Sequence, residues 1–151
     1  MRRLCKSVVV AGALAVLATG SFAADEIVKE RQELMKTVKK AVKVLVPMAK
    51  GETTYDAAAA VDAMKAINKV PDAFADSFPK GSEKAGDTEA SPKIWENPTD
   101  FKAKAADLKK ASAEGIAQAG QGVDALKAVL FGSVLKTCKS CHDEYRIKKD
   151  K

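Results

Sequence analysis

The stretch LKAVLFGSVLKTCKSCHDEY, residues 126–145, decides how the rest of the chain is read. Its Leu126, Leu130, Val134, Cys138, Cys141 and Tyr145 recur three or four residues apart, so all six share one face of a helix. Working back toward the N-terminus, three further stripes of the same kind appear. Phe101, Ala105, Leu108, Ser112, Ile116 and Ala119 form one, opened by Asn97 as N-cap with Pro98 at the first helical position, and closed near Gly120 and Gly122. Ala60, Ala63 or Met64, Ile67, Val70, Phe74 and Phe78 form another, with Thr53 and Thr54 as N-caps and a kink or short break expected at Pro71. The first runs from Asp25 to Lys50 through Ile27, Leu34, Met35, Val38, Val42 and Leu45, with Pro47 and Gly51 marking its end. Residues 79–97, rich in Pro, Gly and small polar side chains, are the one long connection. Four apolar stripes joined by mostly short links bury one another most simply as an all-α, antiparallel up-down-up-down four-helix bundle.

Composition agrees with that fold class. Hydrophobic residues make up 46% of the 151, charged residues 30% and aromatics 5%, which is too apolar for a disordered chain and poor in strand formers. The chain opens with Arg2, Arg3 and Lys6, an unbroken apolar stretch from Val8 to Ala18, and small residues leading to Ala23. A positive start, a short apolar core and a small-residue exit are the parts of a secretory signal peptide, expected to span residues 1–23 and to leave a single domain over 24–151. The apolar stretch is short of the roughly 20 residues a membrane span needs, so no span is expected in the mature form. Cleavage would remove Cys5 and half of the formal charge of +6. The remaining basic residues are interspersed with acidic ones, and no nucleic-acid partner is read from them.

The chemistry is concentrated in Cys138-Lys139-Ser140-Cys141-His142, a CxxCH motif. Two thiols three apart on a helix lie on one face and can each add to a vinyl group of one haem, while the adjacent imidazole reaches the iron. Export fits the same chemistry, because covalent haem attachment in bacteria takes place outside the cytoplasm. A thioredoxin-like CxxC would cap a helix that follows a strand, and no strand pattern precedes this one. A zinc site would need further Cys or His ligands that the chain lacks. The expected cofactor is one covalently bound haem c, held by Cys138 and Cys141 with His142 as proximal iron ligand.

His142 is the chain's single histidine, so bis-His ligation within one chain is impossible. The other axial position falls to Met35, Met48, Met64, a lysine or nothing. In an up-down-up-down bundle the start of the first helix lies beside the end of the last. Met35 is then the best placed, with Met48 at the far end and Met64 near mid-height. Packing in the core is the competing role for Met35.

A CxxCH near the end of the last helix of a four-helix bundle resembles the class II cytochromes c, the cytochrome c′ family. Three further segments carry the resemblance: Arg31-Gln32-Glu33-Leu34-Met35-Lys36, Ser91-Pro92-Lys93-Ile94-Trp95, and the close of the motif at Tyr145 and Arg146. High-spin members typically have an apolar residue at the position of Met35, over an empty sixth site. A methionine there is similar to the low-spin cytochrome c-556 branch and implies that Met35 is the distal axial ligand. The resemblance also implies that Arg31 lies near a haem propionate, as a guanidinium suits a carboxylate, with a solvated surface residue as the competing reading; Arg146, one turn beyond His142, is either a haem-edge charge close to a propionate or a surface residue. Tyr145 is expected to pack beneath the haem rather than to hydrogen-bond, and Trp95 to pin the long loop to the bundle.

With both axial positions filled, the expectation is a periplasmic monohaem electron carrier, not an enzyme, cycling between ferric and ferrous iron and meeting periplasmic redox proteins as donor and acceptor. Lys139, Lys148 and Lys149 could steer an acidic partner. The alternative is a five-coordinate, high-spin cytochrome c′-like protein that binds NO or CO. The expected assembly is a monomer or a homodimer.

Overall fold

A computed structural model describes residues 19–147 of the chain. The start of the expected signal peptide, with Cys5, lies outside these residues, as do Lys148 and Lys149. The first helix, α1, runs over Thr19–Lys50 and so begins ahead of the Ala23–Ala24 junction. Then follow α2 (Ala57–Asn68), α3 (Pro71–Asp76), α4 (Lys93–Glu96) and α5 (Pro98–Ala119). The last long helix consists of α6 (Val123–Val129), a wider π-helical segment (Leu130–Val134) and α7 (Leu135–Tyr145). The only pairing of strand type among the described residues is an isolated bridge between Ala90 and Arg146. The long helices form the four-helix bundle read from the sequence: α2 packs on α1 and α5, α5 on α6 and α7, and α1 on α6 and the π segment.

Local signals explain most of the boundaries. Pro98 stands at the first turn of α5, although the Asn97 side chain makes no capping bond. Pro71 does break the second stripe, but by opening a new short helix rather than kinking an old one. The cap of α2 is Asp56, whose Oδ1 accepts from the Ala59 N–H at 3.0 Å, instead of Thr53 or Thr54. Gly122, with φ of +126°, makes the turn between α5 and α6 in a conformation that side-chain-bearing residues avoid. The π segment was not foreseen. A strict four-residue spacing drifts around a helix of 3.6 residues per turn, and a wider turn takes up the drift, keeping Leu126, Leu130 and Val134 all fully buried.

The core centres on Leu45, Met64, Ile67, Leu126, Leu130 and Val134, all with no exposed surface. Burying each such side chain contributes about 1.5–3 kcal/mol. Where α2 meets α5 the helices are drawn together by Gly115: a Cβ there would fall 2.7 Å from Met64 Sδ. Beside that contact the buried Ser112 hydroxyl donates back to the Leu108 carbonyl and accepts from Asn68 Nδ2 at 3.0 Å. The stripe on α1 differs from expectation at its start. Val28 and Arg31 are buried there, while Ile27 is only half-buried.

Candidate functional site

The bundle is tightly packed through α2 and α5, but between the N-terminal half of α1 and α7 it encloses a cavity of about 630 Å³. That volume lies in the range of sites that enclose a small molecule or cofactor. Its walls are largely apolar: Val28, Met35, Val38 and Val42 from α1, Phe74 and Phe78 at and beyond α3, Phe101 and Leu108 from α5, and Leu135 from α7. Cys138, Cys141, His142, Tyr145 and Arg146 line the same cavity. Because they are three residues apart on one helix, Cys138 and Cys141 present their thiols from consecutive positions on one side, and both are free and half-buried. Burial pushes both thiols up, and Cys141, which also feels Cys138, rises to about 11. Partial burial of the imidazole of an otherwise exposed residue, together with the nearby Arg146 guanidinium, holds His142 below its ordinary value, which favours the neutral form that can act as a ligand. The imidazole has no hydrogen-bond partner among the described residues.

The methionines separate cleanly. Met48 is buried at the far end of α1, and Met64 is fully buried against Gly115. Neither borders the cavity, whereas Met35 does, half-buried and packed against the edge of the core. The chain thus brings one thioether, two thiols and one imidazole to a single apolar chamber. Two thiols to tether a macrocycle, an imidazole and a thioether for iron, and apolar walls to exclude water form a donor set that fits haem c.

The two arginines occupy different surroundings. Arg31 is only 4% exposed. Its Nε donates to the Ser77 carbonyl at 2.6 Å, and its other nitrogens to the Ser82 carbonyl and hydroxyl. The guanidinium carbon sits 4.0 Å from the centre of the Phe78 ring. Burial lowers the Arg31 pKa from its ordinary value, which leaves it a cation at any physiological pH. It therefore borders the cavity while clasping the long loop. Arg146 is exposed and paired with Glu89, Nε to Oε2 at 2.6 Å. Around this pair the loop is laced to the end of α7, as Ser91 N–H donates to the Tyr145 carbonyl and Ile147 N–H to the Glu89 carbonyl.

Part of the cavity wall is an aromatic cluster that the spacing of apolar residues revealed only in part. Phe78 packs edge-on to Phe74, Phe101 and Trp95, with ring centres 4.9–5.6 Å apart, and Phe101 continues the series to Tyr145 at 5.3 Å. Trp95 pins the loop as expected, its Nε1 donating to the Pro79 carbonyl at 3.2 Å. Tyr145 is buried as expected, but it also hydrogen-bonds, its hydroxyl donating to Asp100 Oδ2 at 2.6 Å. Lys139, which does not line the cavity, is paired with Asp143.

This arrangement has close counterparts. The chain matches the family model for Cytochrome C' over residues 26–146. It is 37% identical over 139 residues to a cytochrome c′ of Rhodopseudomonas palustris, covering 90% of this chain and 92% of that one. It is 36% identical over 154 residues to a cytochrome c-556 of Agrobacterium fabrum, covering 95% and 97%. Among solved structures, cytochrome c′ from Rhodobacter Spheriodes superposes with a TM-score of 0.77 at 33% identity, over 83% of this chain and 98% of that chain. A nitric oxide complex of a cytochrome c prime variant from Alcaligenes xylosoxidans does so with 0.73 at 28% identity, over 83% and 97%. Fold, cavity and sequence lead to the same place: the chain belongs to the cytochrome c′ family, helical-bundle proteins whose cofactor is an iron-containing, covalently attached haem c.

Proposed function

We propose that this protein is a periplasmic monohaem electron carrier with its iron held between His142 and Met35. One observation carries the reading: of Met35, Met48 and Met64, Met35 lines the cavity that also holds Cys138, Cys141 and His142, and the other two do not. When bound, the haem supplies a one-electron ferric/ferrous couple. Cys138 and Cys141 would tether it through thioether bonds, and His142 and Met35 would both ligate its iron, leaving no open site for a substrate. The apolar walls around Val38, Val42 and Phe74 exclude water and favour the less charged ferrous form, and thioether ligation acts in the same direction. Arg146 and Arg31 are the cations proposed for the propionates. Arg146 is the more accessible, since Arg31 would have to release Ser82 to reach one. Export rests on the signal-like residues 1–23, and a mature N-terminus at Ala24 in periplasmic extracts would support it.

The absorption spectrum of the ferric protein tests the ligation. A low-spin spectrum with a weak far-red charge-transfer band is expected, and Met35→Leu should turn it high-spin and abolish the band. A high-spin wild type, or a variant with an unchanged spectrum, removes Met35 from the iron. The second reading, a five-coordinate protein that captures NO or CO, draws on the nitric oxide complex of the Alcaligenes xylosoxidans relative. Rapid CO binding by the ferrous wild type, as fast as in Met35→Leu, would favour it.

A further inference from the structure

The lysines of α1 are concentrated in its second half, where Lys36 is paired with the carboxylate of Glu33. From Met35 to Lys50, α1 carries five lysines and no carboxylate, and residues 125–142 carry three lysines and no carboxylate. These two segments are neighbours, since α1 packs on α6 and the π segment. Lys36, Lys39 and Lys43 follow at spacings of three and four, which keeps them on one flank of α1. That flank faces the cavity, because Lys36 and Lys39 both line it. Lys39 and Lys43 are exposed and make no hydrogen bond or ion pair among the described residues. On the α2, α3 and α5 side, by contrast, Lys65, Lys102 and Lys109 are each answered by a carboxylate, from Asp62, Asp76 and Asp72.

Exposed like charges one turn apart lie within a Debye length of one another, so their potentials add at the mouth they surround. Val42 and Leu135, which line the cavity from α1 and α7, give that mouth an apolar centre. We propose that the lysine flank of α1 is the docking surface for a protein partner that presents an acidic rim around an apolar patch. The proposal rests on the electron-carrier reading and names the chemistry of its partner. A small, electrostatically steered contact of this kind suits an encounter that must form and release quickly.

The test uses the holoprotein, Lys39→Glu/Lys43→Glu, and Lys65→Glu/Lys110→Glu as a control with the same change in net charge. The probes are ferricyanide and flavodoxin, an acidic redox protein. Oxidation by ferricyanide should slow steeply with added salt in the wild type. At low salt it should fall about tenfold in the α1 variant and less than twofold in the control. Calorimetric binding of flavodoxin should follow the same ranking. Equal losses in both variants would mean net charge alone and would overturn the proposal. So would Lys39- and Lys43-dependent sedimentation with phosphatidylglycerol-containing vesicles but no flavodoxin binding, since the face would then serve a lipid surface. Salt-sensitive flavodoxin binding by a protein whose iron cannot be reversibly reduced would sink the electron-carrier reading and leave the docking surface standing.

Discussion

The two halves of the bundle are built to different ends. On the α2–α5 side helices approach closely, Gly115 admits Met64, Ser112 and Asn68 satisfy each other, and Lys102 and Lys109 are matched by Asp76 and Asp72. On the α1–α7 side the helices stand apart around a cavity of about 630 Å³, Lys39 and Lys43 have no ion pair among the described residues, and the long loop closes one end. One half supplies the rigidity that the other half gives up to make room. A chain of this size can hold a large group only if the apolar surface missing from one flank is recovered elsewhere or from the group itself.

The sharpest way to break this contrast is to hollow out the packed half. Met64→Ala removes a fully buried side chain where α2 and α5 are closest, and should cost about 2–5 kcal/mol in denaturant unfolding while the ligation spectrum stays as in the wild type. A change in spectrum with little loss of stability would mean that the two halves are not separable in this way.

Much of this division was legible beforehand, and the misses have physical causes. The stripes of α5 and the last helix, Pro98 at a helix start and the break at Pro71 all follow from local rules that need no tertiary partner. Asp56 won the cap of α2 from Thr53 and Thr54 because it is the residue immediately before the first helical turn. Arg31 was read as a surface or propionate residue because only apolar side chains were traced along α1. Its position was nonetheless available, since Arg31, Val38 and Leu45 stand seven apart, in the register of the core. What no local rule supplies is the partner of a buried guanidinium. Ser77 and Ser82 are 46 and 51 residues away, on a loop whose path is set by Trp95 and Phe78. Of the site, the motif at Cys138, Cys141 and His142 was plain from spacing, whereas the cavity that Met35 shares with them needed the folded chain.

The clasp at Arg31 sharpens the comparison from the open side. Arg31→Gln keeps a polar side chain but cannot reach both serines, so it should cost about 1–3 kcal/mol. Amide exchange should quicken over residues 77–90 and remain unchanged in α2 and the facing part of α5. Uniform acceleration across the bundle would show instead that the loop is part of one cooperative unit with the packed half.

Tyr145 stands where the halves meet, its ring packed on Phe101 and its hydroxyl bonded to Asp100 of α5. Burial, reinforced by the hydrogen bond to Asp100, holds the phenol well above its ordinary value. The folded protein therefore keeps a proton that the unfolded chain releases near pH 10. Stability from this group is fully present below that pH and is lost as the pH rises toward the folded value. Tyr145→Phe keeps the ring contacts and removes only the hydroxyl, so it should cost about 1 kcal/mol at neutral pH. The gap between wild type and variant should narrow above about pH 10, because only the wild type has this proton to lose. Denaturant titrations of both proteins at pH 7 and in alkaline buffer read this directly. A gap that stays constant would mean that the junction is held by the aromatic packing alone, and that the bond to Asp100 adds nothing to it.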